Sequence, residues 1–223
     1  MSKRAELKAM RKSSRRTQSF ITIGVVILGA ILIAGVLIWP SLNRKEVVTN
    51  PRPMANFNSM GDPNAPVKVE EFSDFQCPYC KMFGEEMEPV IVKEYVATGK
   101  VHFTYTPFSF LGPESIKAAE AAYCAADQGK FWEYHDLIFA KQAGENQGTF
   151  SRSLFVALAN DLKLESATFQ TCIDTGKNAQ KVQDDIQYGK SKGVTGTPFF
   201  LVNDKLVDSS QLTPAIEAAL KAQ

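Results

Sequence analysis

EFSDFQCPYCKMF, Glu71 to Phe83, holds two cysteines three positions apart, Cys77 and Cys80, with Pro78 and Tyr79 between them. A C-x-x-C pair can be half of a zinc site, a structural crosslink or a redox centre, and its surroundings decide which. VKVEEF, Val67–Phe72, lies just ahead; it is valine-rich and too short for a helix, so it predicts a strand. Pro78 suits the first helical position, where a missing N–H costs nothing, so a helix opens at Cys77–Pro78. The helix runs towards Ala97, with a kink expected at Pro89 and punctuation at Gly99. VHFTYTPFSF, Val101–Phe110, is the next strand. Strand, helix and strand over about 40 residues make a βαβ unit with parallel strands and a right-handed crossover.

Helical patterns follow. PESIKAAEAAYCAADQ starts at Pro113 and ends before Gly129, KFWEYHDLIFAKQ continues to Gln142, and SRSLFVALANDL starts from a Ser151 cap. SATFQTCIDTG and AQKVQDDIQYGKSK complete the block, with Gly176 and Gly193 as stops. FFLVNDKLV then reads as two strands joined by an Asn203–Asp204 turn, and a last helix has Pro214 near its start. The order is βαβ, several helices, ββα: an α/β class in which helices separate the two halves of one sheet.

The chain before this unit has a different character. MSKRAELKAMRKSSRRTQ carries seven basic residues against Glu6, and Phe20–Trp39 is a run of twenty residues without a charge. At about 1.5 Å per residue such a helix crosses a hydrocarbon layer roughly 30 Å thick, and Trp39 and Pro40 mark its end. The positive-inside bias puts residues 1–19 in the cytoplasm as a basic tail, residues 20–39 across the membrane as an uncleaved signal anchor, and the remainder outside. No A-x-A-like cleavage site follows the run, and the first cysteine is Cys77, so no lipid-attachment cysteine is present. The basic tail meets anionic lipid rather than nucleic acid. Without it the chain has 18 basic and 23 acidic residues, near −5. Residues 40–65, with four prolines and five asparagines, read as an extracytoplasmic linker, leaving 66–223 as the folded domain.

EFSDFQCPYCKMF, AAYCAADQGKFWEYHDLIF, CIDTG and GVTGTPFFLVN together resemble the thioredoxin-fold disulfide oxidoreductases of the DsbA type, in their membrane-anchored branch, over roughly residues 60–221. The resemblance implies a thioredoxin fold with a helical insertion at about 112–192, matching the element order read above. It also implies that the Thr197–Pro198 bond is cis and faces the C-x-x-C, leaving the Thr197 backbone to pair with substrate and keeping stray metal from the sulfurs. It gives an acidic residue at the position of Glu71 a proton-transfer role for Cys80; the alternative is that Glu71, or its neighbour Glu70, reaches solvent at the strand end. It further implies a quinone-linked membrane reoxidant of the DsbB or VKOR type. No bound cofactor is needed.

At a helix N-terminus Cys77 meets free N–H groups and the positive end of the macrodipole, which favour its thiolate, while Cys80 lies one turn deeper and more shielded. Cys77 is therefore the sulfur that forms the mixed disulfide and Cys80 its resolving partner. A low thiolate pKa makes Cys77 a good leaving group, which favours donating the disulfide. The dipeptide between the cysteines is Pro-Tyr, as in glutaredoxins, whereas the best-known oxidising members of the resembled family carry Pro-His. Tyr79 adds no positive charge, so Pro78 and Tyr79 are the residues expected to tune the redox poise.

Cys124 and Cys172 stand 48 residues apart, on the inward faces of two helices by i, i+3, i+4 spacing. With the C-x-x-C pairing locally, these two are left to bridge in an oxidising compartment, and some members of the resembled family have a disulfide here; two buried free thiols and a redox role are the alternatives. A bridge over that loop would contribute on the order of 3–4 kcal/mol. Zinc would require a second close cysteine pair, which these do not form, and His102 and His135 read as packed or surface histidines, so no metal site is expected. Phe131, Trp132, Tyr134 and Phe139 read as core. No G-x-G-x-x-G, P-loop or G-x-S-x-G supports nucleotide binding or serine hydrolysis. The sequence thus predicts a membrane-anchored enzyme that introduces disulfides into exported proteins bearing free thiols. An extracytoplasmic reductase or isomerase and a tethered binding or chaperone module are the alternatives.

Overall fold

A computed structural model of the chain describes residues 51–222, together with Gly29 and residues 33–35, which are helical. The basic tail and the rest of the apolar run lie outside the described residues, and among those described no helix is long and apolar enough to cross a membrane.

Two halves share one mixed sheet. β1 (Ser59–Met60), β2 (Val67–Ser73), β3 (Val101–Pro107), β4 (Phe199–Val202) and β5 (Lys205–Asp208) are ordered β1-β3-β2-β4-β5. β2 and β3 run parallel, from Val67 opposite Val101 to Ser73 opposite Pro107, as a βαβ unit requires. β4 returns antiparallel to β2, and β5 closes the hairpin through Asn203, whose φ of 51° suits asparagine in a tight turn.

Between β2 and β3 the chain is helical almost throughout: α1 (Pro78–Met82), a π turn (Phe83–Met87), α2 (Glu88–Ile91) and a second π turn (Val92–Val96). The kink expected at Pro89 takes the form of a widened turn just before it. A proline ring crowds the carbonyl four residues back, and the helix yields by passing the Glu88 N–H to Phe83 O, five residues back.

Five helices separate β3 from β4: α3 (Pro113–Ala126), α4 (Phe131–Lys141), α5 (Arg152–Asp161), α6 (Ser166–Thr175) and α7 (Ala179–Ser191). Ser151 Oγ caps α5 by accepting from Leu154 N, and Gly176 ends α6 in the left-handed conformation at φ 62°, as their residue types demand. α8 (Leu212–Lys221) closes the chain. Phe131, Trp132, Tyr134 and Phe139 all lie in the core, and so does His135; His102 is half-buried on β3. Cys124 and Cys172 form a disulfide that ties α3 to α6.

The linker boundary at residue 65 needs correction. From residue 51 onward the segment is part of the folded unit: β1 pairs with β3, Phe57 stacks on Tyr123 with ring centroids 5.4 Å apart, and the Trp132 indole donates to Ser59 O at 3.2 Å. Proline and asparagine made this stretch read as a tether, yet Arg52, Phe57 and the β1 edge bind it to the domain.

Replacing both Cys124 and Cys172 by alanine is expected to lower the unfolding free energy by about 3–4 kcal/mol, seen as an earlier urea midpoint, because the denatured chain regains the freedom of the closed loop. Exchange at Cys77 should persist in that variant, and a urea midpoint equal to that of the parent would refute the structural role.

Candidate active site

The loop that follows β2 is held from several sides. The buried Asp74 carboxylate accepts from Gln76 N at 2.8 Å, Ser115 Oγ at 2.6 Å, Phe110 N at 3.0 Å and Leu111 N at 3.1 Å. Gln76 in turn donates to Ser115 Oγ at 2.8 Å and accepts from Asn146 N at 2.5 Å. Gln142, just past α4, donates to Phe75 O at 2.7 Å and to Cys77 O at 3.1 Å. The helical insertion thus fixes the backbone that presents the first cysteine, so the chemistry borne by one half of the fold is aligned by the other.

Cys77 is the N-cap of α1, extended at φ −72° and ψ 120°, with Pro78 in the first turn. It is 6% exposed and Cys80 is fully buried; both are thiols. Four influences act on Cys77. The Cys80 thiol donates a hydrogen bond to its sulfur and favours the thiolate most strongly; burial opposes ionisation; the Thr197 side chain and the N–H groups of Cys80 and Tyr79 again favour it. The outcome is a pKa lowered to about 6. Cys80 moves the other way. Burial pushes its thiol well above the ordinary range, and the hydrogen bond to Cys77, the Cys77 charge and Glu71 push it further. Asp74 N points to Cys80 Sγ at 3.5 Å.

The Thr197–Pro198 bond is cis, Pro198 is buried, and the Cys77 thiol donates to Thr197 O at 3.4 Å. Tyr79 is 65% exposed. With Met82, Met87, Thr197 and Pro198 it lines a cleft of about 240 Å³ beside Cys77.

Glu71 is 1% exposed, which excludes the reading that its carboxylate reaches solvent. Glu70 occupies the more open position, accepting from Thr106 Oγ1 at 2.5 Å and Tyr188 OH at 3.0 Å. Glu71 is register partner to Tyr105 on β3, so the two side chains share a face of the sheet. Burial holds the Glu71 carboxyl protonated well above the usual carboxylate range, and the Glu88 charge adds to this; Ser73 and Arg52 oppose.

All the residues read from sequence as site candidates therefore converge, except Cys124 and Cys172, which bridge elsewhere. Three groups escaped the sequence reading. Asp74 carried a signal, since an aspartate three residues before a helix N-cap is an Asx-turn former, here accepting from Gln76 N two residues on. Gln142 and the pair Arg52–Glu88 carried none: their partners lie tens of residues away.

Two unequal thiols at a helix mouth, one ionised near neutrality and reachable, the other held protonated beneath it beside a buried acid, are equipped for thiol–disulfide exchange. That fold and that site define a thioredoxin-fold thiol–disulfide oxidoreductase. A family model described as Thioredoxin matches residues 56–222, and the chain belongs to that family, in its DsbA-like group. The chain is 31% identical over 171 residues to disulfide bond formation protein D of Bacillus subtilis (strain 168), covering 74% of this chain and 77% of the relative. It is 29% identical over 216 residues to the probable disulfide bond formation protein D of Bacillus anthracis, covering 93% and 99%. The crystal structure of oxidised BdbD from Bacillus subtilis superposes with a TM-score of 0.69 at 29% identity, covering 79% of this chain and all of that one.

In the reduced protein, the thiolate absorbance of Cys77 is expected to titrate near pH 6. A folded-state pKa below that of the unfolded thiol contributes stability that is complete above the unfolded value, about 8.5, and lost as pH falls through the folded one. Reduced protein should therefore gain stability over oxidised protein as pH rises from about 6 towards 8.5; above that value Cys80, whose thiol is held protonated in the folded state, acts in the opposite direction. An absorbance midpoint at the free-cysteine value would contradict the assignment.

Proposed function

We propose that this chain introduces disulfide bonds into exported proteins from the outer face of the cytoplasmic membrane. The observation that carries the reading is the unequal placement of two neighbouring thiols, Cys77 at the N-cap of α1 and Cys80 fully buried one turn on, which favours the thiolate of the first and the thiol of the second. A thiolate this stable is a good leaving group, so the oxidised enzyme passes its disulfide on readily.

In the oxidised enzyme Cys77 Sγ is the attacked atom, because Cys80 is buried beneath it. A substrate thiolate forms a bond to Cys77 Sγ; the Cys77–Cys80 bond breaks, its electron pair goes to Cys80 Sγ, and that sulfur takes a proton. Glu71, buried and protonated, is the donor. A second substrate thiolate then attacks the substrate sulfur of the mixed disulfide and releases Cys77 as its thiolate. The substrate has lost two electrons to the enzyme, which a quinone-linked membrane partner of the DsbB or VKOR type removes. Thr197 and Pro198, bordering the cleft beside Cys77, receive the substrate segment, and Pro78 and Tyr79 tune the potential.

The location rests on the sequence: the basic residues of the tail, the uncharged run Phe20–Trp39 and the disulfide-forming chemistry of the domain agree on an anchor with the domain outside. The named function of the Bacillus relatives, disulfide bond formation, supports the direction of electron flow.

Equilibration with glutathione measures that direction. An oxidant is expected to lie well above the reductase scale of about −270 mV, towards the −120 mV of strong oxidants; a potential near the lower figure turns the assignment to a reductase, the reading that the uncharged Tyr79 favours. In cells, Cys77→Ser is expected to abolish substrate oxidation and Cys80→Ser to accumulate mixed disulfides. Partner binding and a cellular phenotype left intact by Cys77→Ser would mean that the domain acts only by binding.

A further inference from the structure

Arg52 enters the domain from the segment ahead of β1. Its Nη1 donates to Glu88 Oε1 and its Nη2 to Asp136 Oδ1 at 2.7 Å, and its guanidinium carbon lies 4.7 Å from the centroid of the Trp132 ring. The side chains of Arg52, Glu88 and Asp136 are 7%, 0% and 11% exposed. His135 Nδ1 stands 2.9 Å from the same Asp136 oxygen.

Buried ion pairs are weak sources of stability, because desolvation consumes most of the Coulombic gain and matched apolar side chains often do as well. This one acts electrostatically on the buried Glu71 of the redox centre, through both Glu88 and Arg52. Glu88 Oε2 and Glu71 Oε2 are both buried with no hydrogen-bond partner among the described residues. After burial itself, Glu88 is the strongest influence on Glu71, and Glu71 acts on Cys80. Glu71 faces Ser73 on its own strand, Tyr105 on β3, Phe200 on β4, Cys77 and Cys80 at the start of α1, Glu88 on α2 and Arg52. While the two cysteines are bridged, Glu88 and Arg52 are the charged members of that set.

We infer that Arg52 and Glu88 are positioning residues for the exchange reaction: Arg52 fixes the Glu88 carboxylate beside Glu71, and the pair governs the proton that Glu71 gives to Cys80 and afterwards recovers. The inference rests on the proton role proposed for Glu71. When the Cys77–Cys80 bond breaks, its electron pair goes to Cys80 Sγ and the Glu71 proton follows, leaving a Cys80 thiol and a Glu71 carboxylate. That carboxylate then stands beside the Glu88 charge, and the like-charge repulsion drives it to take a proton back from water. Arg52 holds the Glu88 carboxylate in place through its hydrogen bond to Glu88 Oε1. Arg52 and Asp136 line a cleft of about 410 Å³ with Asn56, Phe57 and Trp132, while Glu88 lies wholly inside.

The test is the pH dependence of reduction of the oxidised full-length protein in detergent, with glutathione as the thiol and the rate corrected for its thiolate fraction. The corrected rate falls on the alkaline side as Glu71 loses its proton. Glu88→Gln removes the neighbouring charge and is expected to move this fall down by about one pH unit, about tenfold in rate at a fixed pH beyond it. Arg52→Met/Glu88→Gln/Asp136→Asn removes the cation together with both of its carboxylates, leaves neither Glu88 nor Asp136 as an uncompensated buried charge, and serves should the single variant fail to fold. It should move the fall in the same direction by less, because Glu88 acts on Glu71 more strongly than Arg52 does. Glu71→Gln should abolish the fall. If the fall survives Glu71→Gln, the proton role of Glu71 is lost and the inference with it. If Glu71→Gln abolishes it while the Glu88 variants leave it in place, Glu71 stands and the role of Arg52 and Glu88 is overturned.

Discussion

The hydrogen bond from the Cys80 thiol to the Cys77 sulfur exists only while Cys80 keeps its proton, and it is strongest when Cys77 has lost its own. Each sulfur therefore fixes the protonation of the other. Burial decides which takes which role: Cys80 is fully shielded and cannot carry the charge cheaply, whereas Cys77 sits at the mouth of a helix whose free N–H groups stabilise it. The asymmetry of the reaction follows, since the attacked sulfur is the one that leaves well.

Such an arrangement tolerates little play in the backbone at residue 77, because the thiolate must stay aligned with the N–H groups of Tyr79 and Cys80. The restraint comes from outside the βαβ unit. Asp74 gathers two loop amides and Ser115, and Gln142 takes the carbonyls on either side of Gln76. The inserted helices are thus a brace for the redox loop, and the Cys124–Cys172 disulfide tightens that brace.

What could be read from the sequence was what is local. The strand before Cys77, Pro78 at the helix entry, the Ser151 cap, Gly176 and the Asn203 turn each declare themselves through one residue's backbone or hydrogen-bonding preference. The cis bond before Pro198 and the roles of Glu71 and Thr197 came by family resemblance, because no local preference dictates them. The segment from residue 51 to 65 does not declare its place in the fold, because a two-residue strand has no period to detect and its proline and asparagine content is that of a tether. The network of Arg52, Glu88 and Asp136 was invisible for a simpler reason: it joins positions 36 and 84 residues apart, whose proximity exists only once the sheet and α4 have assembled.

The position of Arg52 bears on how the domain is isolated. The family match begins at residue 56, and a recombinant fragment trimmed to that point would retain β1 and both redox cysteines. It would also strip the guanidinium from Glu88, which is wholly buried, and from Asp136, which is nearly so, and leave both carboxylates without that cation. Such a fragment would fold around an altered interior, and a potential measured on it would belong to the truncation rather than to the enzyme.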